Sequence, residues 1–288
     1  MSDLNFDHKV NTMNIQKIAA FSDENQGGNP AGVLISDQLS TNAEMQKIAL
    51  DVGFSETVFA TPISEGWKVH YFSPESEVPF CGHATIALGA ALALRYGNGI
   101  FSLTLTNQTK ITVEGTIDGS TIMAALQSPP TNSFKADPLL IADALSLFGY
   151  MESDLDYRIP PALIHGGSNH LVLALNSRSK LKSMKYDLDK GRTLMNENSL
   201  VTILLVYAES DQLFHTRNPF ASGGIYEDSA TGAATAALGG YLRDLNWPHK
   251  GHIDIVQGED MGMRSKLRAE IGNIAGSSIR VSGTARIM

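Results

Sequence analysis

Two stretches of the chain break the usual interleaving of polar and apolar positions. Residues 82–94 and 231–242 contain no aspartate, glutamate, lysine or arginine. A helix needs a polar face only where it meets water, so two helices of this composition predict burial on all sides. Their many glycines and alanines would let a sheet wrap them closely. Residues 14–21, 57–61, 67–73, 200–207, 212–217 and 252–257 read as strands, and Ile111 and Val113 alternate with Thr112 and Glu114 in the same manner. Amphipathic spacing over 42–51 and 138–147 predicts helices at the surface.

The two apolar stretches are copies of one design. Residues 82–92 overlay 232–242 without a gap, and seven of the eleven positions agree: Gly82, Ala84, Thr85, Ala87, Leu88, Gly89 and Leu92 match Gly232, Ala234, Thr235, Ala237, Leu238, Gly239 and Leu242. Upstream of each lies a His-x-x-x-Pro run, His70 to Pro74 and His215 to Pro219, at the end of a strand-like segment. Downstream comes Arg95 or Arg243, a cation suited to the negative pole of a helix. The repeat predicts an α+β fold of two pseudo-symmetric lobes, each a curled, mainly antiparallel sheet around a central buried helix. The expected boundaries are an extension at 1–12, one lobe at 13–128 and a second at 129–288. The break falls in Ser128-Pro129-Pro130-Thr131-Asn132, and the last segment, 278–288, has the pattern to pair with either lobe.

Composition narrows the function. A chain of 288 residues with 43% hydrophobic and 18% charged residues suits two globular cores. The formal charge of -8 repels a phosphate backbone, so nucleic acid is not an expected partner. The single cysteine, Cys81, excludes an intrachain disulfide and a thiolate metal cluster. With no apolar leader in residues 1–12 and no long apolar run elsewhere, no membrane partner is expected and the location predicted is cytoplasmic. The Asn107-Gln108-Thr109 glycosylation match is then accidental.

The buried helices raise a question of chemistry. Each starts at a glycine, Gly82 or Gly232, with unpaired N–H groups and about half a positive charge. If the pseudo-symmetry points both starts at the seam between lobes, they form a place for a carboxylate. Three ionisable residues lie near them. His83, in the first turn, is either a neutral donor or acceptor or a satisfied core histidine. Asp228, just before the second helix, reads most simply as a helix cap. Glu56, in Gly53-Phe54-Ser55-Glu56-Thr57, reads locally as an exposed turn residue. No nucleophile elbow, phosphate-binding loop, His-Glu-x-x-His or Cys-x-x-Cys occurs, and His249 with His252 reads as solvated surface rather than a metal pair.

Four motifs in order carry a family resemblance: Gly28-Asn29-Pro30-Ala31-Gly32-Val33, Ser55-Glu56-Thr57, Pro79-Phe80-Cys81-Gly82-His83-Ala84-Thr85 and Glu227-Asp228-Ser229-Ala230-Thr231-Gly232. Together with Gln257-Gly258 and Met261-Gly262, they resemble the PhzF-like proteins of phenazine biosynthesis, which share the fold of diaminopimelate epimerases. The resemblance implies a cofactor-independent, metal-free isomerase acting on a small carboxylate-bearing metabolite, and a homodimer. By it, Glu56 would move the proton with help from His83 and Asp228, and Asn29, Gly82, Gly232 and Ala233 would line the substrate. Ala233 stands where the best-studied members carry serine, Ser229 where they carry proline, and Met263-Arg264 where an Arg-Pro pair is common. Epimerases of this fold that use a thiol on each face need two cysteines, and this chain has one. A non-thiol epimerase, or a ligand-binding or regulatory module without turnover, are the alternative readings.

Overall fold

The structure, a computed structural model, describes residues 15–288; the extension expected at 1–12 lies outside the described residues. In the first half, β1 (Gln16–Ser22) and β2 (Asn29–Ile35) pair antiparallel, and α1 (Asn42–Val52) crosses to β3 (Glu56–Ile63), which runs parallel to β2. A hairpin leads to β4 (Gly66–Phe72), and the short β5 (Glu77–Val78) leads to α2 (Gly82–Tyr96). After the helix, β6 (Gly99–Thr104) runs parallel to β4, and β7 (Lys110–Asp118) and β8 (Thr121–Gln127) follow antiparallel.

The second half begins with β9 (Asn132–Lys135) and α3 (Pro138–Phe148), then repeats the plan. Strands β10 (Ala162–His165) and β11 (Asn169–Ala174) pair antiparallel. Helices α4 (Arg178–Lys182) and α5 (Leu188–Glu197) cross to β12 (Thr202–Ala208), which is parallel to β11. A hairpin gives β13 (Leu213–Phe220), the short β14 (Ile225–Asp228) leads to α6 (Gly232–Asp244), and β15 (His252–Gln257) returns parallel to β13. Then β16 (Ser265–Glu270) and β17 (Arg280–Ile287) follow antiparallel. The parallel pairs of one half thus recur at the matching places in the other, within a sheet that is otherwise antiparallel.

The final strand pairs with both halves rather than one. Strand β17 bonds β8 from Arg280↔Gln127 to Ala285↔Ile122, and also bonds β1 and β16. The Ser128–Asn132 break predicted from proline lies between β8 and β9.

Both central helices are enclosed, as their composition requires. Every residue of α2 from His83 to Ala93 is buried, and only Leu94, Arg95 and Tyr96 emerge. Burying a side chain such as Ile86, Leu88 or Leu92 in full contributes about 1.5–3 kcal/mol. Glycine is what lets the sheet come so near: a Cβ on Gly115 of β7 would sit 2.2 Å from the Gly89 carbonyl oxygen of α2. Helix α6 is buried from Ala234 through Arg243, and packs against β9, β10 and β16. The second half carries an outer layer as well, since Leu171, Leu173, Ile203 and Leu205 face α3–α5 while Val172, Ala174, Leu204 and Val206 face α6. Among the described residues no helix is long and apolar enough to cross a membrane.

Candidate active site

The two helix starts meet. A Cβ on Gly82 would lie 3.7 Å from Gly232 Cα and from Ala233 N, so the first turns of α2 and α6 are in contact across the seam. Neither residue preceding them, Cys81 or Thr231, caps its helix with a side chain. The positive poles of two buried helices are therefore brought to one place.

Glu56 reaches this seam from the first half. A capping box between Thr41 and Glu44 starts α1, and Gly53, in the left-handed region at φ 71°, ends it. The chain then enters β3, with Glu56 opposite Ala31 of β2. Alternation does the rest: Glu56 shares a face with Val58 and Ala60, which pack in the core around α2. The local expectation of an exposed turn residue is thus corrected, because the strand begins at Glu56 itself and the residue is 9% exposed. Its Oε2 has no hydrogen-bond partner, although His83 Nε2 lies 3.3 Å away. Burial raises the Glu56 pKa, against the lowering effect of hydrogen bonds from Ser55 and Cys81.

His83, the second residue of α2, is buried with Nε2 3.4 Å from Ser55 Oγ and Nδ1 3.3 Å from Cys81 Sγ. Burial lowers its pKa, with the charge of Asp228 opposing, so the imidazole is neutral near neutrality. The Cys81 thiol is pushed well up, first by burial and then by the negative charge of Glu56. It is a protonated thiol rather than a ready nucleophile.

From the second half comes Asp228, the last residue of β14. Expected as a helix cap, it instead binds side chains: Asn29 Nδ2 donates to Oδ1 at 2.7 Å and Thr231 Oγ1 donates to Oδ2 at 2.5 Å. The cap position of α6 is Thr231, three residues past Asp228, so Asp228 does not occupy it. Burial raises the Asp228 pKa, while His83 is the strongest of the opposing influences. Asn29 also donates to the Ala230 carbonyl at 3.0 Å, which ties β2 to the second helix start.

Sequence reasoning gave no role to Gln257, the last residue of β15. Its Nε2 donates to the Asp228 carbonyl at 2.8 Å and its Oε1 accepts from Thr231 N at 3.1 Å, so it holds the turn that presents Asp228. Ser55 was likewise visible only as a motif letter, and Cys81 only as that and as the single cysteine. The structure brings together Glu56, His83, Asp228, Asn29, Gly82, Gly232 and Ala233. His249 lies apart, its Nδ1 accepting from Gly251 N. The one trio of possible metal ligands among the described residues is Glu56, Cys81 and His83, one donor atom from each lying within 4.8 Å of the others. A surface cleft of about 840 Å³ lies elsewhere, lined by strands β7, β8 and β15–β17. Charged groups in it pair with one another, as in Arg268–Asp254 and Arg280–Glu114, and none of the seam residues lines it.

Two like lobes, each a curled sheet around a buried helix, with polar groups gathered where the helices begin, define an α+β architecture already known from solved structures. The phenazine biosynthesis protein of the PhzF family from Bacillus anthracis superposes with a TM-score of 0.82 at 21% identity, covering 95% of this chain and 96% of that one. The chain belongs to the phenazine biosynthesis-like protein family, PhzC-PhzF, whose model matches residues 18–288. It is 30% identical to an uncharacterised isomerase, YfhB, of Bacillus subtilis over 285 residues, 94% of each chain. It is 28% identical to the trans-2,3-dihydro-3-hydroxyanthranilate isomerase of Pseudomonas aeruginosa over 281 residues, 92% of this chain and 94% of that one. Its relatives therefore include proteins named as isomerases.

Proposed function

We propose that the chain is an isomerase in which Glu56 moves a proton between two carbons of a small, carboxylate-bearing, cyclic or unsaturated metabolite. The observation that carries the reading is a buried carboxyl with one oxygen unpartnered, beside a neutral histidine, where two helix poles converge. The first turns of α2 and α6 hold the substrate carboxylate by their N–H groups and positive poles. Glu56 as carboxylate takes a proton from a carbon activated by conjugation, and the electron pair left behind spreads into the unsaturated system. The same carboxyl returns the proton to a second carbon, so substrate and product are isomers and no oxidant or cofactor enters. A raised pKa brings the acid and base forms of Glu56 nearer in energy at working pH, which is what one group serving twice requires. His83 and Asp228 hold the developing charge and the far side of the ligand. Ala233 presents a methyl group, and no hydroxyl, to that ligand.

The relative's named substrate, trans-2,3-dihydro-3-hydroxyanthranilate, is the first compound to try. In heavy water, candidate carboxylated metabolites should take up deuterium with the wild-type protein. Glu56→Gln should slow uptake about 10²- to 10⁴-fold with the fold intact. Equal uptake by the variant removes Glu56 from the chemistry, and binding without any uptake favours a module without turnover.

A further inference from the structure

The same seam has the donor set of a cation site. We propose that Glu56, Cys81 and His83 bind a divalent cation of the zinc class, and that the bound cation closes the site to substrate.

The geometry is the first argument. A tetrahedral site with metal–donor distances of about 2.0–2.3 Å has donor–donor edges of about 3.3–3.8 Å. Here His83 Nε2 is 3.3 Å from Glu56 Oε2, inside that range, and 3.9 Å from Cys81 Sγ, just beyond it. The third edge also falls within the 4.8 Å span of the trio. The second argument is independent of spacing. Glu56 Oε2 is buried without a hydrogen-bond partner, a cost that a metal bond would remove.

Chemistry then selects the ion. One thiolate, one imidazole and one carboxylate suit Zn²⁺ or Cd²⁺ and give little to Mg²⁺ or Ca²⁺, which require several oxygens. Cys81 gives its thiol proton to solvent as the cation enters, and the Sγ–metal bond replaces the S–H bond. Glu56 and Cys81, which repel each other when ionised and are both near the negative charge of Asp228, meet a dication whose charge offsets theirs. All three ligands come from short stretches fixed by secondary structure, the first residue of β3 and the start of α2. The blocking consequence rests on the role proposed for Glu56, whereas binding itself does not.

The test is a titration of the full chain with Cd²⁺, reading the ultraviolet charge-transfer band of a cadmium thiolate and the stoichiometry by calorimetry. One equivalent should bind with the band, and Zn²⁺ should displace it. Cys81→Ser should abolish the band and weaken binding by more than the roughly 10- to 100-fold that loss of an outer partner costs. His249→Ala with His252→Ala should leave both unchanged. No band in the wild type, unaltered affinity in Cys81→Ser, or loss of binding in the surface double variant overturns the site. If Cys81→Ser fails to fold by circular dichroism, the wild-type band and stoichiometry decide alone. Deuterium uptake that continues at full rate with the cation bound overturns the blocking role.

Discussion

The two helix starts share a scaffold and differ in how far their polar groups are satisfied. At α6, both oxygens of Asp228 are engaged, and Gln257 closes the turn from behind. At α2, Glu56 keeps an unpartnered oxygen and meets His83 at 3.3 Å without a formed hydrogen bond. A buried polar atom left unpaired costs about 1–3 kcal/mol, so the start of α2 carries a cost at Glu56 that the start of α6 does not carry at Asp228. Duplication supplied two equivalent platforms. One has both carboxyl oxygens of its aspartate bound by side chains, and the other leaves a glutamate oxygen without a partner.

That contrast can be broken by mutation. The largest expected loss of stability is from Asp228→Ala, which removes one buried hydrogen bond from each of Asn29 and Thr231 and should cost about 2–4 kcal/mol in urea unfolding. Glu56→Gln in the same assay should be neutral or stabilising, since it removes an ionisable group from a buried place. The reverse order of effects would end the idea of one satisfied carboxyl and one unsatisfied. Next comes a pair at matching positions of the repeat. Gly89→Ala puts a methyl 2.5 Å from Val113 Cγ2 and should cost about 1–3 kcal/mol. Gly239→Ala meets nothing nearer than 3.4 Å and should be neutral or gain up to about 1 kcal/mol from helix propensity.

The smallest effect is in pH dependence. The folded chain keeps protons on Glu56 and Asp228 where the unfolded chain has lost them, because burial raises both above their ordinary 4.5 and 3.8. Their contribution is full below those values and lost as pH rises through the raised ones. His83, held below its ordinary 6.5, acts oppositely: its contribution is present above 6.5 and lost as pH falls below it. Urea midpoints across a pH series should show Glu56→Gln gaining on the wild type as pH rises above the ordinary carboxylate range. A constant gap would mean Glu56 is not held protonated.

The fold was legible because the pattern that encodes it is local. Charge-free helices at residues 82–94 and 231–242, and their shared glycines, announce burial and duplication before any coordinate is known. The site was legible only through motif resemblance, since nothing adjacent to Glu56 marks it. A physical signal did exist: with period two, Glu56 falls on the face of Val58 and Ala60, which placed a carboxylate in a core. Gln257 was hidden because its partners, Asp228 and Thr231, are 29 and 26 residues away and meet it only through the sheet. The misreading of Asp228 as a cap has the same origin, because its true partner, Asn29, lies 199 residues earlier.

Strand β17 closes the first half from a distance: Thr284 bonds Ser22 across 262 residues, and β8 waits for the same strand. The edges of β1 and β8 that β17 covers must therefore stay bare while the chain between β8 and β17 is synthesised, open to pairing with the wrong chain. Assembly of the first half is in this sense the last act of folding, and its slowest step should be the arrival of a single short strand.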